Sequence, residues 1–221
     1  MKSIIKRALL GQKHWPLSFG LLALTAFLLS GTFVHAGAPD PQCKPDSIMV
    51  SGFESGPSLL FEDTFEGCRS SLWQESDGDW QVASGAYYTT VFSSANILPL
   101  QPSDFIVELE VSDIQGGGLW LRLDNGNGVI LQIGSTTSDD FLYWQAMNTD
   151  VLGPALNPSA NGVINPDSGD HTIKVIVASG TYQAFVDGKL VTTLTHADII
   201  AAGRTPPDNG AVGLQGQGTS T

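Results

Sequence analysis

Three acids lie close together in Glu108-Leu109-Glu110-Val111-Ser112-Asp113. Cleavage of a sugar–sugar bond with retention needs two carboxyl groups ~5–5.5 Å apart, one as acid and one as nucleophile. Residues two apart on a strand share a face and lie ~6.5–7 Å apart at Cα, so Glu108 and Glu110 can form such a pair. Asp113 has the opposite parity and joins them only through a bulge. The plainer reading is that acids line the solvent face of an outer strand.

A second set is suited to holding a ligand. Trp120 and Arg122 alternate with Leu119, Leu121 and Leu123, which puts the indole and the guanidinium together on the non-core face. Glu108 and Glu110 are expected one strand away, and Gln132, Tyr143 and Gln145 on following strands extend the same surface. A sugar presents an apolar ring face and a rim of hydroxyls. An indole beside Arg, Glu and Gln meets both, by stacking and by charge-assisted hydrogen bonds. The alternative is a loop over Trp120 and an ion pair between Arg122 and a glutamate. Phe61, Phe65, Trp73 and Trp80 read as core anchors, and one of Tyr143 and Trp144 must face inward. His171 reads as a strand-start residue satisfied by hydrogen bonds, and His196 as a loop residue. Asp124-Asn125-Gly126-Asn127 and Asp139-Asp140 offer oxygen atoms for calcium, but turn chemistry explains the first cluster without one. No cofactor is expected.

Strands must position these residues. From Leu59 onward apolar and polar residues alternate, broken by Gly, Asn or Asp at intervals of about 8–12 residues, the pattern of an all-β sandwich of two antiparallel sheets. Strands are predicted over Leu59–Phe65, Trp80–Ala83, Ala86–Phe92, Asp104–Ser112, Gly118–Asp124, Gly128–Gly134, Asp140–Ala146, His171–Ala178, Thr181–Val186, Leu190–Thr195 and Ala211–Gln215. Asp124–Gly128, Ser179-Gly180 and Asp187-Gly188 are turn signals that tolerate positive φ. Phe105, Val107, Leu109 and Val111 form one apolar row, and Ile173, Val175 and Val177 another. Met147–Asp170 reads as one long loop, and no segment shows a helical period.

The start of the chain carries a different message. Lys2, Lys6, Arg7 and Lys13 precede an apolar run, Phe19–Leu29, and then Val34-His35-Ala36, the layout of an export signal cut after Ala36. The run is too short for the ~20 residues of a membrane-spanning helix. Removing residues 1–36 takes four of the ten basic residues and none of the 22 acidic ones. A chain so acidic repels nucleic acid and anionic lipid. Both cysteines, Cys43 and Cys68, follow the cut, and in an oxidising compartment the default is a disulfide between them. The expected organisation is a signal peptide over 1–36, a leader over 37–58, one β-sandwich over 59–215 and a tail over 216–221. The expected location is secreted, periplasmic or at the cell surface.

Phe61-Glu62-Asp63-Thr64-Phe65, Trp73, Gly78-Asp79-Trp80-Gln81-Val82 and Gly85 resemble the opening of a concanavalin A-like jelly roll. So do Asp104–Glu110 with Gly117–Arg122, and His171–Val177 with Tyr182, Val186-Asp187-Gly188 and Gly210–Leu214. The chain is similar to laminin-G-like domains and to bacterial domains named for 3-keto-disaccharide hydrolysis. This resemblance implies an exported jelly roll that handles carbohydrate, by binding or by cleavage. The acidic segment resembles the Glu-x-Asp-x-x-Glu motif of laminarinase-like glycoside hydrolases, with its second and third acids exchanged in type. The expected function is therefore glycan binding without catalysis. A glycoside-processing hydrolase using Glu108 and Glu110 is the alternative, and a surface module for protein partners the third. Such domains usually close with a strand beside the first one. Here that strand is expected to be missing or replaced by the leader around Ile48-Met49-Val50.

Overall fold

The structure, a computed structural model, describes residues 3–12, 58–75, 80–91, 93–97, 100–112, 116–133, 141–164 and 170–216. In chain order the strands are β1 (Ser3–Gln12), β2 (Ser58–Asp63), β3 (Gln74–Glu75), β4 (Trp80–Ala83), β5 (Ala86–Thr89), β6 (Ser93–Ile97), β7 (Phe105–Ser112) and β8 (Gly118–Asp124). They continue as β9 (Asn127–Ile133), β10 (Leu142–Asn148), β11 (Val151–Leu152), β12 (Asp170–Ala178), β13 (Thr181–Val186), β14 (Lys189–Thr195) and β15 (Ala211–Gly216), and among the described residues one helix, α1 (His196–Ala201), follows β14. One sheet runs β14-β13-β12-β7-β1-β5-β4, with β2 also paired to β1, and the other runs β11-β10-β9-β8-β15-β6-β3. Every strand pairing is antiparallel.

The alternation read from the sequence decides what is buried between the sheets. Phe105, Val107, Leu109 and Val111 of β7 and Ile173, Val175 and Val177 of β12 meet Leu119, Leu121, Val129, Leu131 and Trp144 of the other sheet in one core. The aromatic anchors are there as expected: Tyr87 stacks on Phe65 at 5.1 Å and on Trp80 at 4.8 Å, and Phe61 meets Trp73 edge-on at 5.7 Å. Of the neighbouring pair, Trp144 is buried and Tyr143 half-exposed. Tight turns form at the predicted places. Asn125-Gly126, Ser179-Gly180 and Asp187-Gly188 all have positive φ, the geometry that matches the twist of a two-residue hairpin.

Four features depart from the expectation. The first sheet includes β1, from a segment read only as the basic start of an export signal, paired with β7 on one side and with β2 and β5 on the other. The position beside the first sandwich strand, expected to be empty or taken by the leader, is thus held by Ser3–Gln12. His196, expected in a loop, instead begins a short helix. Its N-cap is Thr195, whose hydroxyl accepts from the Asp198 N–H at 3.2 Å while its own N–H donates to the Asp198 carboxylate at 2.8 Å. The first half of the long 147–170 segment lies against β10, with Trp144 and Leu156 exchanging backbone hydrogen bonds of 3.0 and 2.8 Å. Short strands also form over Gln74–Glu75, Ser93–Ile97 and Val151–Leu152. The apolar run Phe19–Leu29, the cut after Ala36, Cys43, Ile48–Val50, Asp113 and Asp139-Asp140 lie outside the described residues.

Candidate functional site

The outer face of the seven-stranded sheet gathers polar and aromatic side chains from four adjacent strands. Register aligns Gln215, Gly118, Gln132 and Tyr143 in one row across β15, β8, β9 and β10. The next row is Gly213, Trp120, Ile130 and Gln145. Directly opposed residues of a sheet share a face, so Trp120, Gln132, Tyr143 and Gln145 stand together as expected. The Gln132 amide reaches Gln145 and Gln215, each at 3.4 Å, and the Gln145 amide donates to the Gly153 carbonyl at 2.8 Å. The sequence marks Gln215 only as the end of the last predicted strand. Its partner across β8 is the side-chain-free Gly118, which lets its amide reach as far as β9. Tyr143 lies beside Phe141 with ring centres 5.6 Å apart, and burial pushes its phenol pKa up.

Trp120 is not the open platform that parity alone suggested. It is only 6 % exposed. Its accessible edge lines a cleft of about 510 Å³ at one end of this face, next to the β8–β9 turn. Leu123 and Met147 supply apolar wall there, Gln101 and Asn125 amides, and Asp124 and Asp150 carboxylates, with no basic residue in the lining among the described residues.

Three expected members of the site are elsewhere. Arg122 has φ +52° and sits at a bulge, where β8 loses register with both β9 and β15. An extra residue at a bulge reverses the parity that follows it. Arg122 is thereby driven between the sheets, 2 % exposed, and Leu123 is thrown outward to the cleft. The guanidinium donates to the carbonyls of Ser103 (2.9 Å) and Pro207 (3.0 Å) and to the Tyr182 hydroxyl (3.2 Å). It also meets the Asp104 carboxylate at 3.4 Å and lies 5.3 Å from the Tyr182 ring centre. The ion-pair alternative holds, but with Asp104 instead of a glutamate. Gly210 crosses the bulge so closely that a Cβ there would overlap the Arg122 backbone.

Glu108 and Glu110 are on β7, in the other sheet, with side chains on its outer face. The two acids and Trp120 therefore lie on opposite sides of the sandwich. Glu108 pairs with Lys174 of β12 at 3.2 Å. His171 is held by Asp187 at 2.8 Å, as a strand-start residue should be. Among the described residues no three His, Cys, Asp or Glu side chains gather around a point where a metal could sit. The Asp124–Asn127 cluster ties its own turn: Asn125 donates to Asp124 at 3.0 Å, and Asn127 accepts from Asn148 at 3.1 Å and from the Thr149 N–H at 3.2 Å.

His196, at the start of α1, faces Arg122 at 3.2 Å and Tyr182 at 3.5 Å. Burial first, and then the guanidinium, hold its imidazole below the usual 6.5. The unfolded chain then takes up a proton before the folded one does. Stability is expected to be full above pH ~6.5 and to fall as the pH drops below it, levelling off under the lowered folded value. Thermal unfolding scanned from pH 8 to 4.5 should show this step, and His196→Gln should remove it. A separate loss remains at lower pH, because Thr195 holds the Asp198 carboxyl below 3.8 and that contribution is lost as Asp198 protonates. An unchanged midpoint between pH 7 and 5 would refute the assignment to His196.

No known protein-family profile matches the chain, and no curated protein does. Solved structures do resemble it. Carbohydrate-binding module CBM66 from Bacillus subtilis aligns at 16 % identity and a TM-score of 0.52, over 65 % of this chain and 86 % of the module. A candidate glycosyl hydrolase from Parabacteroides distasonis aligns at 14 % identity and 0.50, over 66 % and 87 %. The β-glucanase of Bacillus licheniformis aligns at 11 % identity and 0.47, over 72 % and 85 %. Identities this low speak to fold alone. By fold, then, the chain is a two-sheet antiparallel β-sandwich similar to that of carbohydrate-binding module CBM66.

Proposed function

We propose that this is an exported domain that binds carbohydrate, without catalysis, on the outer face of its seven-stranded sheet. The observation that carries the reading is the grouping of Tyr143, Gln132, Gln145 and Gln215 beside the Trp120 cleft on four adjacent strands. A half-exposed phenol offers a sugar ring a stacking surface, and amides both donate to and accept from hydroxyls. The carboxylates of Asp124 and Asp150, with no cation beside them among the described lining residues, favour neutral or amino sugars and disfavour uronic acids. Glu108, the acid best placed for catalysis by sequence, faces away from this surface and is paired with Lys174.

A glycan array and a reducing-sugar assay test the reading together. Binding to neutral or amino sugars without turnover is expected. Tyr143→Ala should weaken binding about tenfold, the scale of one lost stacking contact, and leave the fold intact. Glu108→Gln and Glu110→Gln should leave affinity unchanged. Hydrolysis of any glucan or disaccharide that is lost in Glu108→Gln would overturn the reading.

Export is part of the proposal. It is supported by the basic and apolar start of the sequence and by the absence of a free thiol among the described residues. The exported chain would begin at Gly37 and carry a Cys43–Cys68 disulfide. Among the described residues no helix is long and apolar enough to cross a membrane.

A further inference from the structure

The position of β1 has a consequence for the exported chain. One edge of β1 is paired with β7 from Ile4↔Ser112 to Gln12↔Phe105. Its other edge is paired with β2 from Ala8 to Gln12 and with β5 from Ser3 to Ile5. Among the described residues β2 has no other strand partner. Removing β1 would split the sheet between β7 and β5 and leave the ladder groups of three strands unpaired, each at a real cost when buried. The side chains flanking the gap, Val107 and Leu109 on β7, Phe61 on β2 and Tyr87 on β5, are fully buried core residues. An empty slot is therefore a poor state for this domain. Yet the segment that fills it is the one that reads as removed on export.

The chain's own leader is badly suited to replace it. A replacement must supply about ten extended residues with free N–H groups and then turn into β2. Pro45 and Pro57 bracket the leader's apolar run, Ile48-Met49-Val50, and proline cannot donate from an interior strand. Too few residues lie between them for both a strand of that length and a turn.

We propose that the slot between β7 and the β2/β5 edge is a strand-acceptor site. Ser3–Gln12 fills it in the uncut chain, and an extended segment of another protein fills it once residues 1–36 are gone. The donor runs antiparallel to β7, has the alternating apolar residues of an interior strand, and carries a basic residue in register with Glu110, as Arg7 does here. Main-chain hydrogen bonds supply affinity, and the alternate positions supply selectivity. The export reading determines only when the slot empties. The slot itself follows from strand pairing and is independent of the glycan face on the other sheet.

The test uses the whole chain with a protease recognition sequence placed between Gln12 and Phe19, folded first and then cut. The cut fragment should stay bound and exchange saturably with a fluorescent peptide of residues 1–14. The Leu9→Pro peptide, which lacks a ladder N–H, should bind at least tenfold more weakly. An Arg7→Glu peptide should also bind more weakly, and Glu110→Arg in the acceptor should restore it. Overturning results are loss of the fragment with an unchanged melting temperature and no peptide uptake, or a dimer of the cut chain that excludes the peptide. Glycan binding measured on the same samples separates failure here from failure of the proposed function.

Discussion

Arg122→Ala is expected to lower the stability of the domain by about 3–5 kcal/mol, the scale of breaking a buried, fully hydrogen-bonded charge cluster. The guanidinium is the common partner of groups from three separate places in the chain: the carbonyls of Ser103 and Pro207, the Tyr182 hydroxyl and the Asp104 carboxylate. Alanine leaves those acceptors facing a void, and it must also occupy a backbone position with φ +52° without the contacts that hold it there. Lysine should recover little, because one ammonium cannot reproduce a planar fork that reaches several acceptors in fixed directions. Urea unfolding of the wild type and both variants measures the effect. Since the cluster lies between the sheets, glycan affinity per folded molecule should not change. A variant that stays fully stable but loses binding would return Arg122 to the ligand face and refute the bulge.

Alternation was enough to assign most strands, because a half-buried sheet forces period two on its side chains. The hairpins were legible for a related reason: Asn-Gly, Ser-Gly and Asp-Gly tolerate the positive φ that a two-residue turn demands. What failed was anything that breaks period two. The bulge at Arg122 inserts one residue, and nothing in Leu121-Arg122-Leu123-Asp124 distinguishes a strand that keeps its parity from one that reverses it. Sheet membership was also out of reach. β7 and β8 are consecutive in sequence but belong to different sheets, so Glu108 and Trp120 never meet. Their separation follows from the path of the chain and not from the residue types. Ser3–Gln12 was hidden by ambiguity, since a basic start leading into apolar residues suits an export signal and a strand alike. The capping pair Thr195 and Asp198 is a local helix-start signal within an otherwise strand-patterned sequence. Of the candidate site, Trp120, Gln132, Tyr143 and Gln145 were legible by parity. Gln215 was not, because its membership depends on β15 pairing with β8, a contact between segments far apart in the sequence.

Asp63→Ala should be of similar size, about 3–5 kcal/mol, and should damage the opposite end of the core. This buried carboxylate accepts from three donors: the Phe65 N–H at 3.0 Å, the Ser70 N–H at 2.7 Å and the Trp73 indole N–H at 2.9 Å. The first of these holds Phe65 at φ +54°, a strained position for a bulky side chain. That strain is what carries the ring inward to stack on Tyr87 at 5.1 Å. Alanine leaves three donors unpaired and frees the Phe65 backbone to relax, so the aromatic cluster of Phe61, Phe65, Trp73 and Tyr87 should loosen as a unit. Asn keeps one acceptor oxygen but turns an NH₂ toward at least one of the donors. It should fall between wild type and alanine. The two routes to instability differ in readout. Near-ultraviolet circular dichroism and tryptophan fluorescence should change in Asp63→Ala under conditions where the chain is still folded, whereas Arg122→Ala should leave the Trp73 environment as it is. Equal aromatic signals in wild type and Asp63→Ala would show that packing alone holds Phe65 in place, without the carboxylate.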